Sequence, residues 1–370
     1  MSNLNVLIKP ASSFCNMRCK YCFYFDEIEG RDIKSFGFMP DEVLHNTISK
    51  ALDGTYSTVT FLFQGGEPTL CGLDFFKKVV TLEKLYNKKN IVINNSLQTN
   101  GYRISKELLN FFKQENFLIG ISLDGTKDIH NKYRGNKLSD SFDSVYNTLK
   151  YAQSIGLYFT VLTVVTDDIV DNLDEVYNFY KKENFLNLHF IPCLKPIYDS
   201  SYCDDYSLNC DKYEKYLKKI FKLWFDDIKK GFYVSIRHID NYLMLLLNKQ
   251  CESCAMQGKC SVQYLVEGNG NVYPCDFYAM DEYYLGNIKD YSFKQLSNTD
   301  TALKFVNESL FIPENCTKCN VYEFCRNGCK RDRFKVGDKF TENMYCKAYK
   351  NFLEENLSNI KQALSLLMQR

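Results

Sequence analysis

The sequence predicts an α/β fold in which a parallel sheet, an open or partial barrel, precedes a smaller cysteine-rich domain. Up to about residue 235, six short apolar runs alternate with longer amphipathic segments. From residue 236 onward the periodic runs become short, and nine of the sixteen cysteines lie between Cys251 and Cys346. We therefore place a domain boundary there, with a barrel over 1–235 and a second domain, built around metal sites, over 236–370.

The six apolar runs are predicted strands because they are nearly continuous, as in a parallel sheet that is covered on both faces. They are Leu4–Ile8, Val59–Phe63, Ile91–Asn95, Phe117–Ser122, Tyr158–Val164 and Leu188–Ile191. The segments between them have apolar residues at helical spacing, which predicts the helices Asp41–Leu52, Phe75–Asn87, Ser105–Gln114, Phe142–Ser154 and Leu173–Glu183. A further helix is predicted over Tyr213–Lys230. In such folds the chemistry lies in the loops after the carboxyl ends of the strands.

The charge balance and the apolar runs exclude several classes of protein. The chain has 46 Lys and Arg against 45 Asp and Glu, so it lacks the basic excess expected of a protein that binds nucleic acid. Its longest apolar runs, Val161–Val165 and Leu243–Leu247, are far shorter than the roughly 20 residues that cross a bilayer. The start of the chain has no secretory signal pattern. We expect a cytoplasmic protein, with no membrane or nucleic-acid partner, whose cysteines stay reduced.

Cys15, Cys19 and Cys22 form a C-x3-C-x2-C group just after the first predicted strand. A structural zinc ion normally takes four ligands, and no fourth Cys or His follows at short spacing. Three thiolates suit an iron–sulfur cluster with one iron open to an outside ligand, such as the amino and carboxylate groups of S-adenosylmethionine. Zinc shared with a distant partner is the alternative.

This spacing, with Tyr21 before the last cysteine, resembles the radical S-adenosylmethionine (radical SAM) superfamily. The resemblance implies a partial (β/α)6 barrel and reductive cleavage of the cofactor to a 5′-deoxyadenosyl radical. Gly65, Gly66 and Glu67 follow the second predicted strand and look like the family's motif that binds the methionine moiety, although alone they predict only a turn. The other cofactor contacts implied by the resemblance are Tyr21, Ser122, Arg134 and Leu194.

The second cysteine region contains the string C-x2-C-x5-C-x3-C from Cys316 to Cys329, followed by Cys346. With three cysteines upstream it provides eight thiols, enough for two four-iron clusters or, alternatively, for two zinc sites. The pattern resembles the SPASM extension of radical SAM enzymes that modify peptides. This resemblance implies one auxiliary cluster held by Cys254, Cys260, Cys275 and Cys329, and another held by Cys316, Cys319, Cys325 and Cys346. The remaining cysteines are expected to be packing or surface residues: Cys71, Cys193, Cys203, Cys210 and Cys251.

Three strings, Leu7–Tyr24, Gln64–Leu70 and Tyr273–Tyr278, are similar to those of the anaerobic sulfatase-maturating enzymes. That resemblance implies oxidation of a Cys or Ser side chain in an unfolded sulfatase segment to Cα-formylglycine. It also implies three [4Fe–4S] clusters and S-adenosylmethionine as cofactors, with a flavodoxin or ferredoxin as electron donor.

Asp276, next to the implied cluster ligand Cys275, is the candidate base for the substrate's thiol or hydroxyl proton. Burial beside an anionic cluster raises the pKa of a carboxyl group toward the range useful for general base catalysis. An Asp that caps a turn is the structural alternative. Gln64 and Tyr24 are expected to hold the substrate backbone, unless they only support the cofactor loop.

Two other functions stay open at this point. A SPASM-type enzyme that forms a thioether or another crosslink in a ribosomal peptide would share the barrel and the clusters. A zinc-binding interaction protein would share only the cysteines. The detection of an aldehyde product separates the first from sulfatase maturation, and iron analysis separates the second.

Overall fold

A computed structural model describes residues 2–135, 141–196, 206–337 and 339–369. The strands of its main sheet are β1 (Ser2–Ile8), β2 (Tyr56–Phe63), β3 (Val92–Thr99), β4 (Leu118–Ser122), β5 (Phe159–Val165), β6 (Asn187–Pro192), β7 (Ser235–Ile236), β8 (Leu265–Val266), β9 (Asn271–Tyr273) and β10 (Gly286–Asn287). A separate antiparallel hairpin contains β11 (Arg333–Val336) and β12 (Lys339–Asn343).

The helices alternate with the strands in the first half of the chain and are shorter in the second. They are α1 (Phe23–Glu27), α2 (Asp41–Asp53), α3 (Gly72–Tyr86), α4 (Lys106–Gln114), α5 (Lys127–His130), α6 (Ser141–Ser154), α7 (Asp167–Asp171), α8 (Leu173–Lys182), α9 (Cys210–Lys229), α10 (Arg237–Leu246), α11 (Phe293–Leu296), α12 (Asp300–Ser309), α13 (Glu314–Thr317), α14 (Tyr322–Cys325) and α15 (Cys346–Met368). Within the described ranges no helix combines the length and the apolar character that a membrane crossing requires.

The main sheet has the order β10-β9-β8-β1-β2-β3-β4-β5-β6-β7. Strands β1 to β7 pair in parallel with their neighbours in chain order, so the six predicted strands are β1 to β6, with ends that differ by a few residues. The prediction of an α/β fold, with six parallel strands separated by helices, is confirmed.

The second half of the chain continues the same sheet at its other edge. Strand β8 pairs in parallel with β1, where Leu7 lies opposite Leu265 and Ile8 opposite Val266. Strands β9 and β10 then add antiparallel pairs. At the barrel's far edge, the predicted boundary between residues 235 and 236 falls inside β7. The division into two domains at that point stays a prediction.

The barrel is held by one large apolar core between the sheet and its helices. Buried side chains of α3, such as Phe76, contact α4 and the sheet in a cluster of phenyl rings. The ring centre of Phe76 lies 4.9 Å from that of Phe112 and 5.5 Å from that of Phe63. Helices α9 and α15 pack together through Phe221 and Phe352, with ring centres 5.6 Å apart. Such rings bury a large apolar area and prefer tilted or edge contacts. The core therefore fixes the positions of the loops at the sheet's carboxyl edge.

Candidate active site

The first three cysteines lie in the loop between β1 and α1 and line one cavity. The Cys15 sulfur accepts hydrogen bonds from the backbone N of Met17, at 3.4 Å, and from the side chain of Asn100, at 3.5 Å. Cys22 directly precedes α1, so the helix start fixes its position. The cavity is also lined by Ser13, Met17, Tyr24, Phe25 and Gly66. Three sulfur atoms therefore face one space.

Burial determines the protonation of these thiols. It raises the pKa of Cys19 to about 11 and that of Cys22 to about 12. The guanidinium of Arg134, with Nη1 3.7 Å from the Cys19 sulfur, opposes this rise. Thiolates therefore form here at neutral pH when a positively charged metal binds. This donor set fits an iron–sulfur cluster with three protein ligands.

Arg134 lies in a π-helical turn, Asn131–Gly135, of a kind often found at functional sites. Its Nη1 donates to the Tyr21 hydroxyl at 3.3 Å, and Tyr21 donates in turn to Asp124. Its Nε is buried, 4.0 Å from a carboxylate oxygen of Asp124, and has no hydrogen-bond partner among the described residues. A buried guanidinium nitrogen of this kind suits a carboxylate ligand such as that of S-adenosylmethionine. Asp124 was missed by sequence reasoning, although it lies in the Ile-Ser-Leu-Asp-Gly string.

The loop after β2 requires its two glycines. Gly65 and Gly66 have φ angles of +82° and +55°, which side chains rarely adopt. A Cβ on Gly66 would lie 2.3 Å from the carbonyl oxygen of Phe14, in the cysteine loop. Glu67 is fully buried, and its carboxylate accepts four hydrogen bonds of 2.7–3.0 Å from Thr69 N, Thr69 Oγ1, Thr99 Oγ1 and Asn100 N. All four donors belong to the protein, so the Glu67 carboxylate stabilises the conformation of this loop. Its implied contact with the cofactor stays a prediction.

Ser122 and Leu194 lie at the same edge of the sheet. Ser122 is the last residue of β4, and Leu194 follows the end of β6. Both positions are compatible with the implied cofactor contacts, which stay predictions.

The three residues expected to act on the substrate meet at one place. The Tyr24 hydroxyl lies 3.0 and 2.9 Å from the two carboxylate oxygens of Asp276, although 252 positions separate them in the chain. Asp276 is half-buried, and desolvation raises the pKa of its carboxyl to about 6. The Lys9 ammonium and hydrogen bonds from Tyr24 and Gln64 oppose that rise. At neutral pH the carboxyl is mostly ionised and can accept a proton.

The eight cysteines of the second half form two groups of four. Burial raises the pKa of Cys275, Cys329 and Cys254, and neighbouring thiols add to the rise. Cys329 and Cys254 act on Cys275, Cys254 and Cys260 act on Cys329, and Cys260 acts on Cys254. The other group contains Cys316, Cys319, Cys325 and Cys346. This grouping is compatible with the two sets that the SPASM resemblance implies, including the placement of Cys329 in the first, and the roles of these cysteines as cluster ligands stay predictions. Among the described residues, no three His, Cys, Asp or Glu side chains lie close enough together to hold a single metal ion.

The remaining described cysteines differ in their surroundings. Cys193 and Cys251 are buried, as expected for packing residues. Burial raises the pKa of Cys71 to about 12. Burial raises the pKa of the Cys346 thiol, and the nearby Cys210 adds to that rise. The fifth residue, Cys203, lies outside the described residues.

A group of buried charges beside Asp276 was not predicted. Lys9, Arg31 and Glu267 are at most 5% exposed, and both cations contact the same oxygen of Glu267. Glu27 is also buried, and neither of its carboxyl oxygens has a hydrogen-bond partner among the described residues. Burial raises the pKa of Glu27 well above its usual range. Charged residues in a sequence predict solvent exposure, so no local pattern marked this group.

Comparison with known proteins finds relatives that share both the barrel and the cysteine-rich domain. A model of the radical SAM superfamily matches residues 10–180, and a model of the SPASM iron–sulfur cluster-binding domain matches residues 254–320. The cysteine-type anaerobic sulfatase-maturating enzyme of Clostridium novyi (strain NT) is 43% identical over 100% of both chains. The serine-type enzyme of Bacteroides thetaiotaomicron is 28% identical over 95% of this chain and 89% of its own. The structure of native anSMEcpe with bound AdoMet and Cp18Cys peptide matches with a TM-score of 0.93 and 39% identity, over 99% of this chain and 100% of that chain.

The fold and the cysteine groups define a radical SAM enzyme with a SPASM domain, which uses S-adenosylmethionine and iron–sulfur clusters. Within that class, the chain belongs to the family of anaerobic sulfatase-maturating enzymes. The predictions of family, enzyme class and cofactors are thereby confirmed.

Proposed function

We propose that this enzyme oxidises a cysteine side chain in an unfolded segment of a sulfatase to Cα-formylglycine. The observation that carries the proposal is the position of Tyr24, which lines the three-cysteine cavity and also binds Asp276. The place where the cofactor would act and the candidate base are thus connected by one side chain. The preference for cysteine is supported by 43% identity to a cysteine-type relative against 28% to a serine-type one.

In this proposal the cysteine loop and the loops around it hold the cofactors. Cys15, Cys19 and Cys22 would bind the first cluster, and Arg134 would bind the carboxylate of S-adenosylmethionine. The eight cysteines of the second half would bind two auxiliary clusters in the two groups described above. When bound, these groups supply the radical that removes a hydrogen atom from the substrate Cβ and accept the second electron.

Asp276 would take the proton from the substrate sulfur. Its carboxylate is ionised at neutral pH, and the hydrogen bond from Tyr24 holds it in one orientation. Gln64, buried at the end of β2, is within reach of the same carboxylate and would hold the substrate backbone. The thioaldehyde that results reacts with water, so that H2S leaves and the aldehyde remains.

We also propose that the enzyme works in the cytoplasm with a low-potential flavodoxin or ferredoxin as electron donor. Eleven of the sixteen cysteines are assigned to clusters above, and thiols that must stay available as metal ligands suit a reducing compartment. Reductive cleavage of S-adenosylmethionine requires such a donor.

An anaerobic assay with two sulfatase peptides that differ only in Cys or Ser at the target position tests the proposal. We expect an aldehyde from both, with the faster rate on the Cys peptide. The product is identified by mass spectrometry and by trapping with a hydrazide. A crosslinked product without an aldehyde, or no change in the peptide, would contradict the proposed function.

A further inference from the structure

Lys9 is a fully buried lysine that touches three parts of the site. It follows β1, is 1% exposed, and its backbone N donates to the carbonyl of Val266 at 2.9 Å. Its ammonium nitrogen lies 2.9 Å from a carboxylate oxygen of Glu267, which is 0% exposed. The same nitrogen lies 4.7 Å from the centre of the Tyr24 ring, a cation–π distance. One side chain therefore contacts both halves of the chain.

The alkyl part of Lys9 supports the glycine loop. A Cβ on Gly65 would lie 2.4 Å from Cγ of Lys9 and 2.5 Å from its Cε, so the stem fills the space below this glycine. The ring above the ammonium belongs to Tyr24, whose hydroxyl binds Asp276. Lys9 thus lies between the loop implied in cofactor binding and the residue pair proposed to remove the proton.

Glu267 extends this contact to the segment that contains Asp276. Its Oε1 also contacts Nη1 of Arg31 at 2.5 Å, and Nε of Arg31 donates to the backbone carbonyl of Ala279, three positions after Asp276. The opposite charges of Lys9 and Arg31 hold the pKa of Glu267 down, at about 2. A buried pair of this kind is a weak source of stability, because desolvation offsets most of the attraction, but it demands a defined geometry.

We infer that Lys9 and Glu267 are positioning residues for the proposed oxidation. Their ion pair fixes the positions of Tyr24 and Asp276 relative to the glycine loop. The inference rests on the proposed function, because it assumes that proton removal by Asp276 must occur where the cofactor acts. A displacement of about 1 Å is enough to slow a reaction about 100-fold. Loss of the pair should therefore slow peptide oxidation while cleavage of S-adenosylmethionine continues, which uncouples the two.

The test uses the reconstituted enzyme with Lys9→Met, Glu267→Gln and the double variant K9M/E267Q. For each, 5′-deoxyadenosine and oxidised peptide are measured in the same anaerobic reaction, together with KM for the peptide. Thermal unfolding and binding of an unreactive Ala peptide are measured without reductant. The wild-type reaction comes first: if it forms no aldehyde, the proposed function fails, independently of the variants.

With an active wild type, we expect Lys9→Met to lower the ratio of oxidised peptide to deoxyadenosine about tenfold or more, while KM and peptide binding change less than about threefold. K9M/E267Q also removes the Lys9 charge but still leaves the buried Arg31 with only a neutral acceptor, so it should recover part of the thermal stability lost in Glu267→Gln. It should not recover the ratio. Lys181→Met is the matched control, because Lys181 forms an ion pair with Asp227 on helices away from the site, with 2.6 Å between the Lys181 nitrogen and the Asp227 oxygen. It should leave the ratio unchanged.

Two results would overturn the inference. In the first, K9M/E267Q recovers the wild-type ratio as it recovers part of the stability, which would show that the ion pair acts only in folding. In the second, Lys9→Met lowers deoxyadenosine and oxidised peptide in equal proportion, which would place Lys9 in cofactor binding alone.

Discussion

The barrel and the cysteine-rich region place their thiols by different means. In the barrel, the cysteine loop follows β1 and lies against the glycine loop after β2, and both rest on one continuous apolar core. In residues 254–345 the strands have two to five residues, and one local apolar cluster consists of only Tyr278, Met280 and Phe305. Beside that cluster lies Lys330, a 0% exposed lysine paired with Glu308 at 2.9 Å. Other residues of this region, such as Val266 and Val321, belong to the large core. We therefore expect the first cysteine group to be held by the barrel, and only the part of the second region around the small cluster to depend on its iron–sulfur cluster as a crosslink.

The largest effect is expected from Cys19→Ala. The variant should form no 5′-deoxyadenosine, because the first cluster would lose one of three ligands. Its melting temperature should stay within about 2 °C of that of the wild type, since the loop rests on the barrel core. Chromatography of the quenched reaction and calorimetry check the two parts. Retained deoxyadenosine formation would contradict the assignment of this cluster.

Asp276→Asn tests the place where the two regions meet. The amide cannot accept the substrate's proton, so peptide oxidation should fall by about 10²–10⁴-fold. Iron content and deoxyadenosine formation should match those of the wild type in the same preparation. Wild-type peptide turnover by this variant would show that Asp276 is not the base.

Cys329→Ala is the counterpart of Cys19→Ala in the second region. It removes a ligand beside Tyr278 of the small apolar cluster, so we expect a melting temperature at least about 5 °C lower. Hydrogen exchange should accelerate over residues 254–345, while β2 to β5 stay protected. Equal destabilisation by the two cysteine variants would remove the contrast between the regions.

The smallest effect concerns the barrel alone. Glu83 of α3 is buried, which raises the pKa of its carboxyl to about 7, and it accepts a hydrogen bond from Asn95 at 3.0 Å. Because the folded pKa is raised, the stability associated with the protonated form is lost as the pH rises through about 7. Glu83→Gln should therefore be more stable than the wild type at about pH 8.5, by about 3 kcal/mol or less.

At about pH 5.5 most of this advantage should disappear. Thermal unfolding of both proteins at the two pH values measures the difference. Glu175→Gln is the matched control, since Glu175 is an exposed residue of α8 whose charge does not act on Glu83. An advantage of Glu83→Gln that does not depend on pH would contradict the proposed titration.

The sequence predicted the barrel well because each of its strands is long enough to show a pattern. β1 to β6 have five to eight residues and lie between amphipathic helices, so their positions were found to within a few residues. β8, β9 and β10 have two or three residues, too few for any periodicity. Their place beside β1 depends on long-range pairing, which no local pattern encodes.

The candidate site was predictable where residues form strings and not where they meet through space. The cysteine groups and the glycine loop were found from spacing and family resemblance. Lys9 and Glu267 were missed because an isolated Lys or Glu normally predicts a solvated surface. Only the fold brings them together, from positions 258 residues apart, through the pairing of β1 with β8.

This pairing also bears on the time at which the enzyme meets its target. Because β8 is hydrogen-bonded to β1, the strands that precede Asp276 and the cysteine loop belong to one continuous sheet. A hinge between the two halves would have to break this sheet. We therefore expect the cavity beside Tyr24 to keep its shape while the target chain adapts to it. Maturation would then precede the folding of the sulfatase segment that carries the target residue.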